Sequence, residues 1–168
     1  MEEELLTPRL RLRRWRDEDE APIAAISAEP EVARYLNPAA GPFVPRFVAH
    51  WREHGFGLWA VEPRDVRDAV CIGFVGIAYP KFLAAVAHRP EIGWRLGSAV
   101  WGRGLGTEAA IAARDYALDE LGLPGLISII HPQNRRSQRV AEKLGMSVTQ
   151  HVHSPTMGIP VQIWSLDT

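Results

Sequence analysis

The chain has 168 residues, 46 % of them hydrophobic, and a net charge of −1; this is enough apolar material for a single domain over residues 1–168, with no global field to draw it onto nucleic acid or a membrane. Its single cysteine, Cys71, stands in an apolar run, which excludes an intramolecular disulfide and a cysteine metal cluster and points to a small core residue. No apolar stretch approaches the roughly 20 residues of a membrane span, and Met1-Glu2-Glu3-Glu4 lacks a secretory apolar region, so a soluble, cytoplasmic protein without a metal is expected.

Thr7 to Trp15 alternates: Leu10 and Leu12 share one face, and Arg9, Arg11 and Arg13 share the other. That is a half-buried strand, and its arginine row reads as a solvated face because the chain has no other basic run. Acidic Asp17 to Glu20 followed by Pro22 marks the start of a helix. Pro30 to Leu36 predicts a short second helix ending before Pro38, and Phe47 to His54 a third. Trp51, Phe56, Trp59 and Phe82 are either core or walls of an acceptor pocket.

Gly57 to Glu62 and Val70 to Tyr79 are predicted strands that pair as a hairpin, with Gly73 and Gly76 marking a bulge or a close backbone approach. Glu91 to Leu96 is the next strand. It leads into Val100-Trp101-Gly102-Arg103-Gly104-Leu105-Gly106-Thr107-Glu108, where three glycines alternate with larger residues. An alanine-rich helix follows, about Glu108 to Leu121, with Thr107 as its expected N-cap and Gly122 as its stop.

A helix start leaves unpaired N–H groups and a partial positive charge. Glycines before it let several N–H groups converge with no Cβ to block a ligand. The product is an anion cradle suited to a phosphate or pyrophosphate. A P-loop needs Lys and then Ser or Thr after its last glycine, and a dinucleotide fingerprint needs a third glycine at the position of Thr107; neither is present, so ATP and NAD are disfavoured.

Leu126 to Ile130 reads as a buried parallel strand. Asn134 opens a last helix, Arg135 to Leu144, closed by Gly145, with Ser137, Val140, Ala141 and Leu144 as its inward stripe. A hydroxyl on that stripe needs a partner, either a backbone carbonyl one turn earlier or a ligand. Val148 to Val152 and Ile159 to Leu166 end the chain as a hairpin.

Taken in order, Glu91-Ile92-Gly93-Trp94, the Trp101 to Ala109 loop, and the run from Asn134 through Ser137, Val140 and Lys143 to Met146 resemble the GNAT superfamily of N-acetyltransferases. The branch most similar is that of the Rim-type N-terminal acetyltransferases of ribosomal proteins, whose opening the Thr7-Pro8-Arg9-Leu10 stretch also resembles. The resemblance implies an α+β fold: a mixed, mostly antiparallel sheet of six to seven strands, splayed in the middle, with about four helices. It implies acetyl-CoA as co-substrate in the splay, its pyrophosphate on the N–H groups of Arg103, Gly104, Leu105, Gly106 and Thr107. The pantetheine arm would lie along Trp94 to Leu96, near Asn134, and Ser137 would stand close to the sulfur. Trp101 occupies a position where the family often has Gln or Arg. Ala141 occupies that of a tyrosine general acid, which leaves Ser137 as the candidate there.

The reaction so implied is direct attack of a primary amine, on a peptide or protein N-terminus or a small molecule, upon the thioester. Neutralising an α-amine at pH 7 costs about 1 kcal/mol, and a lysine about 4.6 kcal/mol. Glu91 is the first candidate base and His131 the second; the alternative for Glu91 is a strand-end carboxylate with a structural partner. A non-catalytic acetyl-CoA-binding or sensor module is the competing reading. Monomer and homodimer both stay open.

Overall fold

A computed structural model describes residues 4–36 and 41–167 of the protein, and the elements and counts that follow are of those residues. Eight strands form one sheet in the order β1-β2-β3-β4-β5-β6-β8-β7. They are β1 (Leu5–Leu6), β2 (Leu10–Arg13), β3 (Leu58–Pro63), β4 (Gly73–Ala78), β5 (Glu91–Leu96), β6 (Gly125–Ile130), β7 (Ser147–Ser154) and β8 (Ile159–Asp167). Five α-helices surround it: α1 (Glu20–Ala28), α2 (Pro30–Ala33), α3 (Val44–His54), α4 (Leu105–Asp115) and α5 (Arg135–Lys143). The strand beyond the expected six to seven is β1, two residues paired to Leu12 and Arg11, too short to show a period. No helix among the described residues is long and apolar enough to cross a membrane.

All neighbouring strands are antiparallel except β5 and β6. The β3–β4 and β7–β8 hairpins form as expected. Gly73 makes a close backbone approach: a Cβ there would collide with the Arg95 carbonyl, and its φ of +147° is open to glycine alone. Ala109, Ala110 and Ala113 on α4 are fully buried, so the helix lies close against β4 and β5. Past Asp115 the helix widens into one π-type stretch, Tyr116–Glu120, before Gly122 (φ +62°) ends it.

The arginine row is not uniformly solvated. Arg11 is exposed and pairs with Glu4, but Arg13 is buried with its guanidinium between Asp19 (2.8 Å) and Glu62 (2.7 Å). The turn entering α1 folds over that end of β2 and supplies the carboxylate. Trp51, Phe56 and Trp59 are core residues and Phe82 is exposed; none of them walls the cavity described below. Cys71 is buried, and burial pushes its thiol up to about 11. The second helix is shorter than its sequence suggests, passing into a turn after Ala33; Pro38 lies outside the described residues.

Candidate active site

The sheet opens at its one parallel junction. β5 is paired with β4 along its whole length, from Glu91↔Ala78 to Leu96↔Gly73. Against β6 it pairs only at Glu91↔Ile127. Beyond that point the two strands diverge, so the backbone groups of Trp94 to Leu96 facing β6 have no strand partner there. Glu91 sits at the apex, where its Oε1 accepts a long bond (3.4 Å) from the Ile129 N–H of β6. Burial pushes its carboxyl up to about 8, and the Ile129 bond offsets little of that.

A cavity of about 570 Å³ fills the splay. One wall is Val32, Tyr35 and Leu36 from α2 and the turn after it; the others are β5, the glycine loop and α5. Glu29 fixes the α2 wall by accepting the Ser98 N–H at 2.8 Å. Tyr35 stacks on His131 at 4.9 Å, joining that wall to the end of β6.

In the glycine loop, Gly102 and Gly104 both have φ +75°, a conformation that costs other residues about 1–2 kcal/mol. Gly104 is itself the N-cap of α4, so the helix begins at Leu105, inside the loop. Thr107, the expected N-cap, is therefore the third helical residue and makes no side-chain cap bond. The first helical bond from the turn's far side is Glu108 N–H to the Gly104 carbonyl, 3.0 Å. The N–H groups of Leu105, Gly106 and Thr107 precede it, at the positive end of an 11-residue helix whose start lines the cavity. Trp101 anchors the loop by donating its indole N–H to the Leu96 carbonyl (2.9 Å), and Arg136 lies over its ring at 4.6 Å.

On α5 the Asn134 side-chain oxygen accepts the Ser137 N–H (3.2 Å) and caps the helix. Its amide NH₂ is left to face the cavity it lines. The inward stripe is rotated from the expected one. Ala141 and Leu144 are buried, but so is Gln138, which donates to the Pro132 carbonyl at 2.7 Å. Ser137 and Val140 lie half-buried on the cavity side. The Ser137 hydroxyl has no side-chain hydrogen bond among the described residues, so the backbone partner considered for it is not taken. Ala141 packs in the core and does not line the cavity.

Of the residues singled out in the sequence, Trp94, Leu96, Gly104, Leu105, Gly106, Thr107, Asn134 and Ser137 line one cavity. Arg103 and Glu91 are not part of its wall: Arg103 is exposed, with its carbonyl held by Arg9 (2.9 Å), and Glu91 stands behind the apex. His131 also lies outside it, its Nδ1 accepting the Gln133 N–H at 3.1 Å. Sequence reasoning missed Tyr35 and Arg95, which also line the cavity. Sequence reasoning also missed the cationic side of α5, Arg136, Arg139 and Lys143, whose i, i+3, i+7 spacing is the signal that could have found it.

A family model described as an acetyltransferase (GNAT) domain matches residues 9–147. The chain belongs to the GNAT family of acetyltransferases. A Bacillus subtilis protein, YkkB, is 30 % identical over 88 % of this GNAT chain and 87 % of its own. The B. subtilis N-acetyltransferase YoaA is 29 % identical over 84 % of this chain and 81 % of its own. Among solved structures, an acetyltransferase from Agrobacterium tumefaciens superposes with a TM-score of 0.81 at 28 % identity, covering 98 % of this chain and 94 % of that one. A Vibrio fischeri ribosomal-protein-S5-alanine acetyltransferase superposes at 0.72 and 15 % identity, covering 98 % and 96 % of the two chains. The acetyltransferase MccE, in complex with acetyl-CoA and AMP, superposes at 0.74 and 12 % identity, covering 96 % and 94 %; these last two share the fold.

Proposed function

We propose that this GNAT enzyme, as one domain over residues 1–168, moves an acetyl group from acetyl-CoA to a primary amine on a peptide or protein N-terminus or a small molecule. The observation that carries the reading is the splay itself. A strand edge without a partner runs into three helix-start N–H groups, all on one cavity. The fit to acetyl-CoA is good on chemical grounds. The N–H groups of Leu105, Gly106 and Thr107 suit a pyrophosphate. Arg136, Arg139 and Lys143 suit further phosphate charge. The open edge at Trp94 to Leu96 suits the amides of a pantetheine arm, held like an added strand, with the Asn134 amide opposite.

Bound acetyl-CoA supplies an acetyl group activated as a thioester. Glu91, its carboxyl pushed up to about 8 by burial, takes in its deprotonated form the proton from the acceptor ammonium, directly or through water. The amine nitrogen bonds to the acetyl carbon, the carbon–sulfur bond breaks with its electron pair going to sulfur, the thiolate leaves, and the nitrogen's second proton passes to that thiolate or to water. A CoA thiol titrates near about 8.5, so a hydrogen bond from the free Ser137 hydroxyl is sufficient help. The test is thiol release from acetyl-CoA on adding α-amine peptides. Acceptor-dependent release with stoichiometric acetylated product supports the reading; tight acetyl-CoA binding without product from any amine overturns it in favour of a binding module.

A further inference from the structure

Gly93 leaves one face of β5 open: a Cβ built on it meets no atom within 4 Å. Side chains alternate along a strand, so Glu91, Gly93 and Arg95 share that face. Arg95 shows where the face points. Its Nη1 donates to Ser27 Oγ on α1 (3.0 Å), and its guanidinium lies over the Phe74 ring at 5.0 Å. The alternate residue Leu96 points the other way, toward Gly106 at the start of α4. The slot between Glu91 and Arg95 and the glycine-loop cradle are thus served by opposite faces of one strand.

Among the described residues Arg95 is a cation without an anion. No ion pair among the described residues engages it, and the charged group that acts on it is another cation, Arg46. Residues 37–40, Asn-Pro-Ala-Ala, contain no carboxylate to supply one. Burial and Arg46 together hold its pKa down to about 10, so it is still charged at neutral pH. A partly desolvated guanidinium on a cavity wall, with one of its five N–H donors on a hydroxyl, is a carboxylate receptor. The cations suited to CoA phosphates stand on another element of the same cavity, α5.

We propose that Arg95 binds a carboxylate of the acceptor, so that the enzyme selects amines bearing an anion several bonds from the reacting nitrogen, such as a peptide with Asp or Glu at its second or third position. The spacing sets that distance. Glu91 and Arg95 are four strand residues apart, about 13 Å along the backbone, and both lie on the strand face that Gly93 leaves open. That separation exceeds the gap between the amine and the α-carboxylate of a free amino acid. The inference rests on the acetyltransferase reading above.

The test compares C-terminally amidated peptides that differ only at the second residue, Ser-Asp-Ala, Ser-Asn-Ala and Ser-Lys-Ala, together with free aspartate and asparagine. The expected result is a kcat/KM for the Asp peptide at least tenfold above the Asn and Lys peptides. That preference should vanish in Arg95→Met and survive, weakened, in Arg95→Lys, while acetyl-CoA affinity by calorimetry and the thermal midpoint stay unchanged. A calorimetric titration of the same peptides into the CoA-bound protein gives a reading independent of turnover, and the same ranking is expected there. Equal values for the three peptides, or discrimination confined to free aspartate, would overturn the proposal. So would an Arg95→Met protein with lost acetyl-CoA affinity, which would make Arg95 a donor-site cation. Turnover of neutral or cationic amines alone would remove this inference and leave the acetyltransferase reading intact; failure to bind acetyl-CoA at all would remove that reading.

Discussion

Arg9 and Glu108 meet across the outside of the glycine loop, Nε to Oε2 at 2.6 Å. The same carboxylate accepts Thr7 Oγ1 (2.6 Å) and the Arg9 backbone N–H (2.9 Å), while Arg9 Nη1 holds the Arg103 carbonyl at 2.9 Å. Arg9, just ahead of β2, thus ties the fourth residue of α4 to the glycine loop's own backbone. With the Arg103 carbonyl drawn outward, the following N–H groups are left to the cavity.

Glu108→Ala should therefore weaken acetyl-CoA binding more than it weakens the fold. The ion pair is half exposed on the Arg9 side and contributes about 1 kcal/mol or less to stability. The affinity loss expected from a loosened loop is about tenfold, equivalent to about 1.4 kcal/mol. Burial pushes the Glu108 carboxyl up, but the bonds from Thr7 and Arg9 outweigh it and hold it below its usual value. The latch is therefore intact above the ordinary carboxylate range and is lost as pH falls through the lowered one. Calorimetry and thermal melts on the variant check both halves.

Glu91→Gln tests the base by sign. The wild-type carboxyl titrates at about 8, and the base is its deprotonated form, so turnover should rise with pH through that value. The variant should lose this rise when assayed with an acceptor whose own amine titrates well below 7. Stability moves the other way. A carboxyl raised in the folded state favours folding less and less as pH climbs from its unfolded value to its folded one. Glu91→Gln should therefore gain thermal stability over wild type at pH 9 and not at pH 5. A variant with an unchanged rate profile but the predicted stability gain would make Glu91 only a filler for the Ile129 N–H.

Ser137→Ala should lower kcat about tenfold or more at nearly constant acetyl-CoA affinity, since its hydroxyl bonds no group among the described residues that the change would orphan. Steady-state kinetics with the fastest acceptor, alongside calorimetry, separates the two. Wild-type kcat would take the hydroxyl out of the mechanism.

Asp19→Asn should cost about 3 kcal/mol in urea unfolding, because it leaves the buried Arg13 guanidinium with Glu62 alone. Burial raises the Asp19 carboxyl, and the bonds from Arg13 and the Arg16 N–H overcome that and lower it. Its contribution is present above the unfolded carboxylate pKa and is lost as pH drops through the folded value. The acid limb of the stability curve should be flatter in the variant.

The sequence carried the long elements well because their signals are local. Leu10 and Leu12 alternate within their own strand, and α4 shows its small face in its own alanines. The glycine loop, Asn134 and Ser137 could be read because each works through its immediate neighbours. What escaped depends on partners far along the chain. Arg13 looks like its neighbours Arg9 and Arg11 until Glu62 and Asp19 close on it. Arg95 sits in an apolar strand with nothing nearby in sequence to mark its isolation. Tyr35 becomes a cavity wall only through His131, 96 positions on. Thr107 was displaced as a cap because Gly104, in its left-handed conformation, starts the helix three residues early.

The most direct measurement is a calorimetric titration of the protein with acetyl-CoA, set beside ATP and NAD and repeated on Gly104→Val. The account predicts one acetyl-CoA site that neither nucleotide fills. It also predicts at least a tenfold loss of affinity in the variant, whose forced φ of +75° costs about 1–2 kcal/mol of stability and leaves it folded. No acetyl-CoA binding, or equal affinity in a folded Gly104→Val protein, would contradict the assignment of the splay and its glycine loop as the donor site.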